Sequence, residues 1–338
     1  MNKIRVAING FGRIGRVSFR QMIKNENIEV VAINDLGEVE NLAHLLRYDS
    51  VHRRFDGTVE VVDGNFIVNG HSIEILQEPH IENLPWKELK IDVVIESTGL
   101  FTTRSEAIKH VEQAGARKVI ISAPAKDTEQ EDVPFVVLGV NDHIINREDI
   151  IISNSSCTTN CVAPMIKILD DNWGIEKAFM TTVHSYTKDQ NILDAPHKDF
   201  RRGRTAAYSI VPTTTGAAKA ATKIFPHLDN NLGGAGIRVP VPDGSLTDLT
   251  CTLREPTSIE EINQKFKEAA EGSMKGILEY TEHPIVSVDV LGNTHSALFD
   301  AGLTAVLGDK NKLVKIVAWY DNEMGYSSRL VELIERFA

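Results

Sequence analysis

The chain has little of what secreted, membrane-spanning or nucleic-acid-binding proteins require. Only 3 of its 338 residues are cysteine, too few and too scattered for a disulfide framework, so a reducing cytoplasm is the default compartment. Positive charge is in deficit. The 36 lysines and arginines face 47 aspartates and glutamates, a formal net charge of −11, which argues against non-specific attraction to nucleic acid or anionic membranes. No apolar run approaches the ~20 residues of a membrane span. The first apolar run is broken by Arg5 and passes at once into glycines, unlike a secretory signal. Repeats, low-complexity tracts and Pro- or Gly-rich linkers are also missing. What remains, 42% hydrophobic and 25% charged residues, is the composition of a soluble globular protein of about two domains. In so acidic a chain, any anionic ligand must be held by local positive charge.

Positive features begin at the N-terminus. Lys3 to Asn9 is a short β-prone run, followed by Gly10-Phe11-Gly12-Arg13-Ile14-Gly15 and a helical pattern to about Lys24. This is G-x-G-x-x-G between a strand and a helix. Its first glycine permits a tight turn, its second lets a pyrophosphate approach the backbone, and its third lets the helix pack on the sheet. The next strand, Ile28 to Asn34, ends in Asp35, about 20 residues on, where a carboxylate accepts hydrogen bonds from ribose hydroxyls and repels a 2′-phosphate. These features predict NAD in preference to NADP. Helical spacing follows over Val39 to Tyr48, then short antiparallel strands over Thr58 to Leu76 with Asp63-Gly64-Asn65 and Asn69-Gly70 turns. Strand and helix then alternate through Asp92 to Glu96, Arg104 to Gln113, Lys118 to Ser122 and Phe135 to Val140, the pattern of a doubly wound unit. Ser97-Thr98-Gly99 and Ser122 follow strand carboxyl ends, where such sheets bind ligands. Gln130 to Asp132 reads as an acidic surface loop.

Ser153 to Cys161 is the stretch around which the rest is organised. Ile150-Ile151-Ile152 reads as a strand and Val162 to Leu169 has helical spacing, which places Cys157 where strand hands over to helix, with Ser155 or Ser156 as N-cap. Free amides and the helix dipole at that end favour a thiolate. Cys161 lies one turn on, but the pair has no further ligands at a usual spacing, so no metal site is expected. Glu176 to Val183 is a β-prone segment ending in His184-Ser185-Tyr186-Thr187. Of 11 histidines, His184 is the one presented at a strand end, and imidazole is the usual partner of a nucleophilic thiol.

Ser185 to Pro212 has no clean periodicity and carries Lys188, Lys198, Arg201, Arg202 and Arg204. Such a connection is unusual unless it binds or packs against something. An anion-binding loop and a subunit-interface loop are both open readings. Pro212 to Lys219 looks like a helix start with Thr213, Thr214, Thr215 and the Gly216 amide aimed at an anion. Arg238 stands inside the apolar run Ile237 to Val239, where an unpaired charge is costly, so it is expected to face a cleft. Thr247 to Leu253 reads as a strand with Cys251 in the core. Ser258 opens a helix with a capping box, Lys312 to Trp319 is a late strand, and Ser327 to Phe337 is an amphipathic last helix.

Asn9 to Arg16, Ser153 to Cys161, Thr182-Val183-His184, Thr214 to Lys219 and Trp319 to Glu323 together resemble the glyceraldehyde-3-phosphate dehydrogenases, nearly end to end. The resemblance implies an α/β protein with an N-terminal Rossmann-type doubly wound NAD-binding domain over 1–156. It implies an α+β catalytic domain over 157–320 with a mostly antiparallel or mixed sheet, and a helix over 321–338 returning to the NAD-binding domain. It implies Cys157 as nucleophile and His184 as its base, Arg238 and Thr187 on the substrate phosphate, and Ser156, Thr158, Thr215, Gly216 and Arg202 on inorganic phosphate. Asn9, Arg13, Ile14, Asp35, Ser97, Asn322 and Tyr326 fall at its cofactor positions, alongside Gly10, Phe11, Gly12, Gly15, Thr98, Gly99 and Ser122. It also implies a homotetramer with the basic loop near the interface. The expected reaction oxidises glyceraldehyde 3-phosphate with NAD and inorganic phosphate through a hemithioacetal and a thioester. The alternatives are an erythrose-4-phosphate dehydrogenase, which hydrolyses its thioester, and a non-catalytic NAD-binding protein. Ser155, Arg53 and Ala195 depart from the alanine, glycine and leucine usual in the resembled family.

Overall fold

The computed structural model describes residues 3–126, 133–308 and 311–338, so the acidic loop expected at 130–132 lies outside the described residues. Two compact units divide the chain. The first comprises Met1–Val136, Asp142–Ser155 and Ser327–Ala338; the second comprises Val137–Asn141 and Ser156–Tyr326. Ser156 and residues 321–326 thus pack with the second unit, whereas the sequence reading put Ser156 with the first and 321–326 with the last helix.

In the first unit Ile4–Asn9 is a central strand of an eight-stranded sheet. It pairs parallel with Ile28–Asn34 on one side and Val93–Glu96 on the other. Lys118–Ile121 and Ile151–Ser153 extend the parallel set. Val6, Ala7 and Ile8 are fully buried, the consecutive burial expected of a parallel strand covered on both faces. The antiparallel insertion joins through His71–Leu76, which lies parallel to Ile28–Asn34 and antiparallel to Asn65–Val68. Asp63-Gly64 and Asn69-Gly70 have positive φ throughout, the paired left-handed conformation that two-residue hairpins favour.

Two expectations change here. Phe135 to Val140 is not a strand: Phe135 makes one isolated bridge to Ser153, and the chain then turns, with the Val140 amide on the Val137 carbonyl and the Asn141 side chain on the Val137 amide. The run is apolar because Val136, Val137 and Leu138 are buried, not because it lies in a sheet. Arg104 to Gln113 folds as two short helices, Arg104–Ala107 and Lys109–Glu112, the first opened by a Thr103–Glu106 capping box.

The last helix, Met324–Phe337, begins earlier than its apolar pattern suggested. Within the first unit Ser328 donates to Gln21 at 2.8 Å and the Lys118 ammonium to the Phe337 carbonyl at 2.6 Å. Arg13, at the start of helix Arg13–Met22, binds the buried Asp49 carboxylate at 2.5 Å. Burial alone would raise the Asp49 pKa, but Arg13 and the Val51 and His52 amides outweigh it and hold the carboxyl at about 2, against 3.8. A depressed carboxylate pKa adds stability that is present above pH ~4 and lost as pH falls towards 2. Asp49→Asn is therefore expected to cost about 2 kcal/mol at pH 7. Denaturant titrations of variant and wild type should show the gap closing as pH is lowered to 3; an equal gap at both pH values would contradict this.

The second unit is built on a mixed sheet, ordered Val211–Thr213, Leu232–Val239, Ile175–Ser185, Ser245–Leu253, Leu313–Tyr320, Ala297–Asp300 and Leu278–Thr281. Ile175–Ser185 runs parallel to Leu232–Val239 and antiparallel to Ser245–Leu253. Cys157–Trp173 is buried from Thr158 to Ile166 without interruption, so it is a core helix, not an amphipathic one. Gly174, with φ 67°, ends it by carrying its amide back to the Asp170 carbonyl at 2.9 Å, a conformation that costs glycine nothing.

Candidate active site

The glycine loop of the first unit is shaped by contacts that no side chain could share. Gly10 has φ 95°, and a Cβ there would lie 2.6 Å from the Thr98 amide nitrogen. A Cβ on Gly15 would lie 2.3 Å from the Gly10 carbonyl oxygen, while nothing lies within 4 Å of one on Gly12. Close packing at two glycines and open space over the third, ahead of a helix without a side-chain N-cap bond, fits a pyrophosphate. Asp35 braces the loop: one carboxylate oxygen accepts the Phe11 amide at 2.7 Å, the other the Gly37 amide at 2.9 Å. A carboxylate has lone pairs to spare for ribose hydroxyls.

Beneath the loop lies a buried network. Asn9 donates to Glu96 at 2.6 Å and accepts from Asn34 at 2.7 Å. The other Glu96 oxygen takes the Thr98 amide at 2.9 Å. His110 Nε2 lies 3.1 Å from Glu96 and its Nδ1 3.0 Å from the Trp86 indole nitrogen. Indole only donates, so Nδ1 accepts and Nε2–H donates to the carboxylate. Ser97 donates to the Gly10 carbonyl at 2.7 Å, the Ser122 amide bonds the Glu96 carbonyl at 2.9 Å, and Gly99 sits at φ 74°. Asn9, Ser97 and Thr98 thus hold the loops in place. The sequence reading missed Glu96, His110 and Trp86; its one signal was a carboxylate closing the apolar run Val93 to Ile95.

In the second unit Cys157 is the first residue of its helix and Ser156 is the N-cap, accepting the Thr159 amide at 3.1 Å. Ser155, just before, is held at φ 57°, strain of order 1 kcal/mol or more that the surrounding structure must impose. Cys157 is half-buried, whereas Cys161 and Cys251 are buried. Its Sγ lies 3.4 Å from His184 Nε2. The sequence reading expected helix-end amides to lower the thiol pKa. Here burial pushes it up, opposed by the Arg238 charge and by hydrogen bonds from Thr158. Burial together with Arg238 lowers His184 to about 3. Burial also pushes Cys251 up to about 12 and Cys161 higher still.

Sheet register explains why Arg238 meets His184: the two are partners across adjacent parallel strands. Arg238 Nη1 lies 2.6 Å from His184 Nδ1 and 2.9 Å from the Ser185 carbonyl oxygen, and Nδ1 lies 2.8 Å from that same oxygen. Val211–Thr213 pairs antiparallel with the arginine strand and feeds the turn into helix Ala217–Ile224. Arg202 reaches Thr213 Oγ1 at 2.9 Å and the Thr214 carbonyl at 3.3 Å, and forms an ion pair with Asp189. It is thereby set against the segment before Thr215 and Gly216. Thr215 accepts the Ala217 amide at 3.2 Å, and Gly216 is the N-cap, with no side-chain bond. The Thr187 amide bonds Gln190 at 3.4 Å.

Two hydroxyls expected to face an anion also bond within the protein. The Ser156 hydroxyl caps the helix and lies 2.7 Å from Thr159 Oγ1. The Thr158 hydroxyl lies 2.9 Å from the Tyr320 hydroxyl, which bonds Thr182 at 2.9 Å on its other side. The buried Tyr320 was not read from sequence as part of the site, and its place at the end of an apolar strand gave no cue. Asn322, at an expected cofactor position, is buried in the second unit and accepts from the Ser185 and Ser245 hydroxyls at 2.9 and 2.7 Å. Tyr326 is also buried there.

Asp243 stands electrostatically beside Cys157. Burial, then repulsion from Asp321 and Glu323, raises its pKa from 3.8 to about 9. It stays protonated when the unfolded chain would ionise, so stability falls as pH rises from about 4 towards 9. Asp243→Asn is expected to raise Tm by several degrees at pH 8 and by little at pH 5. A lower Tm for the variant at pH 8 would contradict this.

A dinucleotide cradle in one unit and a cysteine–histidine pair in the other mark an NAD-dependent oxidoreductase. Comparison with known proteins makes the class particular. The model of the glyceraldehyde 3-phosphate dehydrogenase NAD binding domain matches residues 4–104, and that of the C-terminal domain matches residues 156–322. Glyceraldehyde-3-phosphate dehydrogenase of Geobacillus stearothermophilus is 54% identical over 98% of this chain and 97% of its own length. That of Thermotoga maritima is 54% identical over 98% of both chains, and that of Clostridium pasteurianum 52% over 99% and 98%. The chain belongs to the glyceraldehyde-3-phosphate dehydrogenase family.

Proposed function

We propose that the protein oxidises glyceraldehyde 3-phosphate with NAD and inorganic phosphate to 1,3-bisphosphoglycerate, with Cys157 as nucleophile and His184 as base. The observation that carries this is the 3.4 Å approach of Cys157 Sγ to His184 Nε2, with Arg238 alongside. Cys157 Sγ attacks the aldehyde carbon to give a hemithioacetal. His184 Nε2 takes the hydroxyl proton as hydride departs, leaving a thioester on Cys157. NAD, when bound, supplies the hydride acceptor. Inorganic phosphate then attacks the thioester, and the acyl phosphate leaves as the thiol is restored. Arg238 and Thr187 hold the substrate phosphate. Arg202, Thr215, the Gly216 amide, Ser156 and Thr158 hold inorganic phosphate. Asp35 favours NAD over NADP.

The protein works in the cytoplasm as a homotetramer in this reading. Support comes from the long basic loop, where Phe200, Tyr208, Leu193 and Ile210 are 69–89% exposed, more apolar surface than water tolerates at ease. The test is a reduced-nicotinamide assay with and without inorganic phosphate. Sustained turnover only with phosphate is expected, with one burst per active site without it. Steady turnover to the free acid in phosphate-free buffer would overturn the reading in favour of a hydrolytic relative such as an erythrose-4-phosphate dehydrogenase.

A further inference from the structure

We propose that Glu96 is a positioning residue for the dinucleotide, acting through Asn9 and Thr98, and that an amide of the same size cannot take its place. The inference rests on the reading of the glycine loop as the pyrophosphate cradle. Glu96 ends the strand Val93–Glu96, and its register partner on the adjacent parallel strand is Asn9. Both side chains are buried. The loops that leave these two strand ends meet at Gly10, where the Ser97 hydroxyl donates to the Gly10 carbonyl at 2.7 Å and a Cβ would lie 2.6 Å from the Thr98 amide nitrogen.

The bonds that reach Glu96 have directions set elsewhere. On one side the Glu78 amide donates to Asn34 Oδ1 and Asn34 Nδ2 donates to the Glu78 carbonyl, both at 2.9 Å, which fixes the Asn34 amide. Asn34 Nδ2 also donates to Asn9 Oδ1 at 2.7 Å, so it is Asn9 Nδ2 that faces Glu96 Oε2, at 2.6 Å. On the other side the Trp86 indole donates to His110 Nδ1 at 3.0 Å, so His110 Nε2–H faces the same Oε2 at 3.1 Å. The Thr98 backbone amide donates to Oε1 at 2.9 Å. Of the groups bonded to the carboxyl, the Thr98 hydroxyl alone is free to turn. Each Glu96 oxygen therefore meets a donor that cannot become an acceptor. Glutamine has one oxygen to offer. Aimed at Asn9 and His110, it opposes its NH2 to the Thr98 amide, which is left buried without an acceptor, and the loop must shift to relieve it. A cradle held out of place loses affinity for the ligand it is shaped to fit. Cys157 and His184 belong to the other unit, so turnover at saturating NAD should hold.

Two readouts on Glu96→Gln test this. In the NAD-free protein, amide hydrogen exchange at Thr98 should be at least about 10-fold faster than in the wild type, because its acceptor is gone. Calorimetric titration with NAD should give a Kd raised roughly 10–100-fold, the range for one stranded buried donor, with kcat at saturating NAD within about twofold of the wild type. A merely structural role would lower Tm and leave Kd unaltered; that result, or a Thr98 amide exchanging at the wild-type rate, would overturn the inference. Glu96→Asp keeps two acceptors on a shorter arm, so its Kd should rise several-fold but less than that of Glu96→Gln, although glutamine is the closer match in size. Should the glutamine variant fail to fold, the aspartate variant decides: a raised Kd with kcat preserved supports the inference and an unchanged Kd overturns it. The underlying reading fails separately, if Gly12→Val leaves NAD affinity unaltered.

Discussion

Cys157→Ser is expected to lower turnover with glyceraldehyde 3-phosphate by at least about four orders of magnitude, since losing a nucleophile in a comparable unit costs up to roughly 10⁶. Serine keeps the size and hydrogen-bonding capacity of the position but is far less nucleophilic near neutral pH. The helix start should survive, because the cap is Ser156 and not the cysteine. NAD affinity should change little, because the glycine loop and Asp35 belong to the first unit. Stopped-flow reduction of NAD and a separate NAD titration test both halves. Retention of more than a hundredth of wild-type turnover would remove Cys157 from the role assigned to it.

His184→Asn is the second large effect, about two to four decades in turnover, the range for losing a general base. The structure adds a pH signature. With its pKa lowered to about 3 by burial and Arg238, the imidazole is neutral across the working range, so its titration should give no acid limb between pH 5 and 8. The thiol, pushed up by burial, should instead make alkylation by iodoacetamide accelerate with rising pH through that window, and do so more weakly in His184→Asn. A plateau in the wild-type alkylation rate above pH 6 would mean a thiolate already formed at neutral pH.

Features tied to local backbone requirements were the legible ones. The glycine loop could be read because Gly10 and Gly15 occupy places closed to any side chain. The two hairpins could be read because Asp63-Gly64 and Asn69-Gly70 are left-handed pairs. Cys157 and His184 could be read because each sits where a regular element begins or ends. Arg53, where glycine is usual in the resembled family, is held at φ 64°, a conformation glycine adopts freely.

What escaped depends on contacts distant in sequence. The sign of the Cys157 shift follows from burial, which outweighs the helix-end effect visible from the motif. Tyr320 meets Thr158 across 162 positions, and Glu96 meets Asn9 across 87; neither pairing has a periodic signature. Phe135 to Val140 misled because an apolar run shows that a segment is buried without showing whether it extends or turns.

The most direct measurement is peptide mapping of the acyl-enzyme. Protein mixed with NAD and glyceraldehyde 3-phosphate without inorganic phosphate, then quenched in acid, should carry one 3-phosphoglyceroyl group. Fragmentation should place it on Cys157, and a pulse of inorganic phosphate before the quench should remove it. An acyl group on Cys161 or Cys251, or NAD reduction with no acylated peptide, would contradict the account.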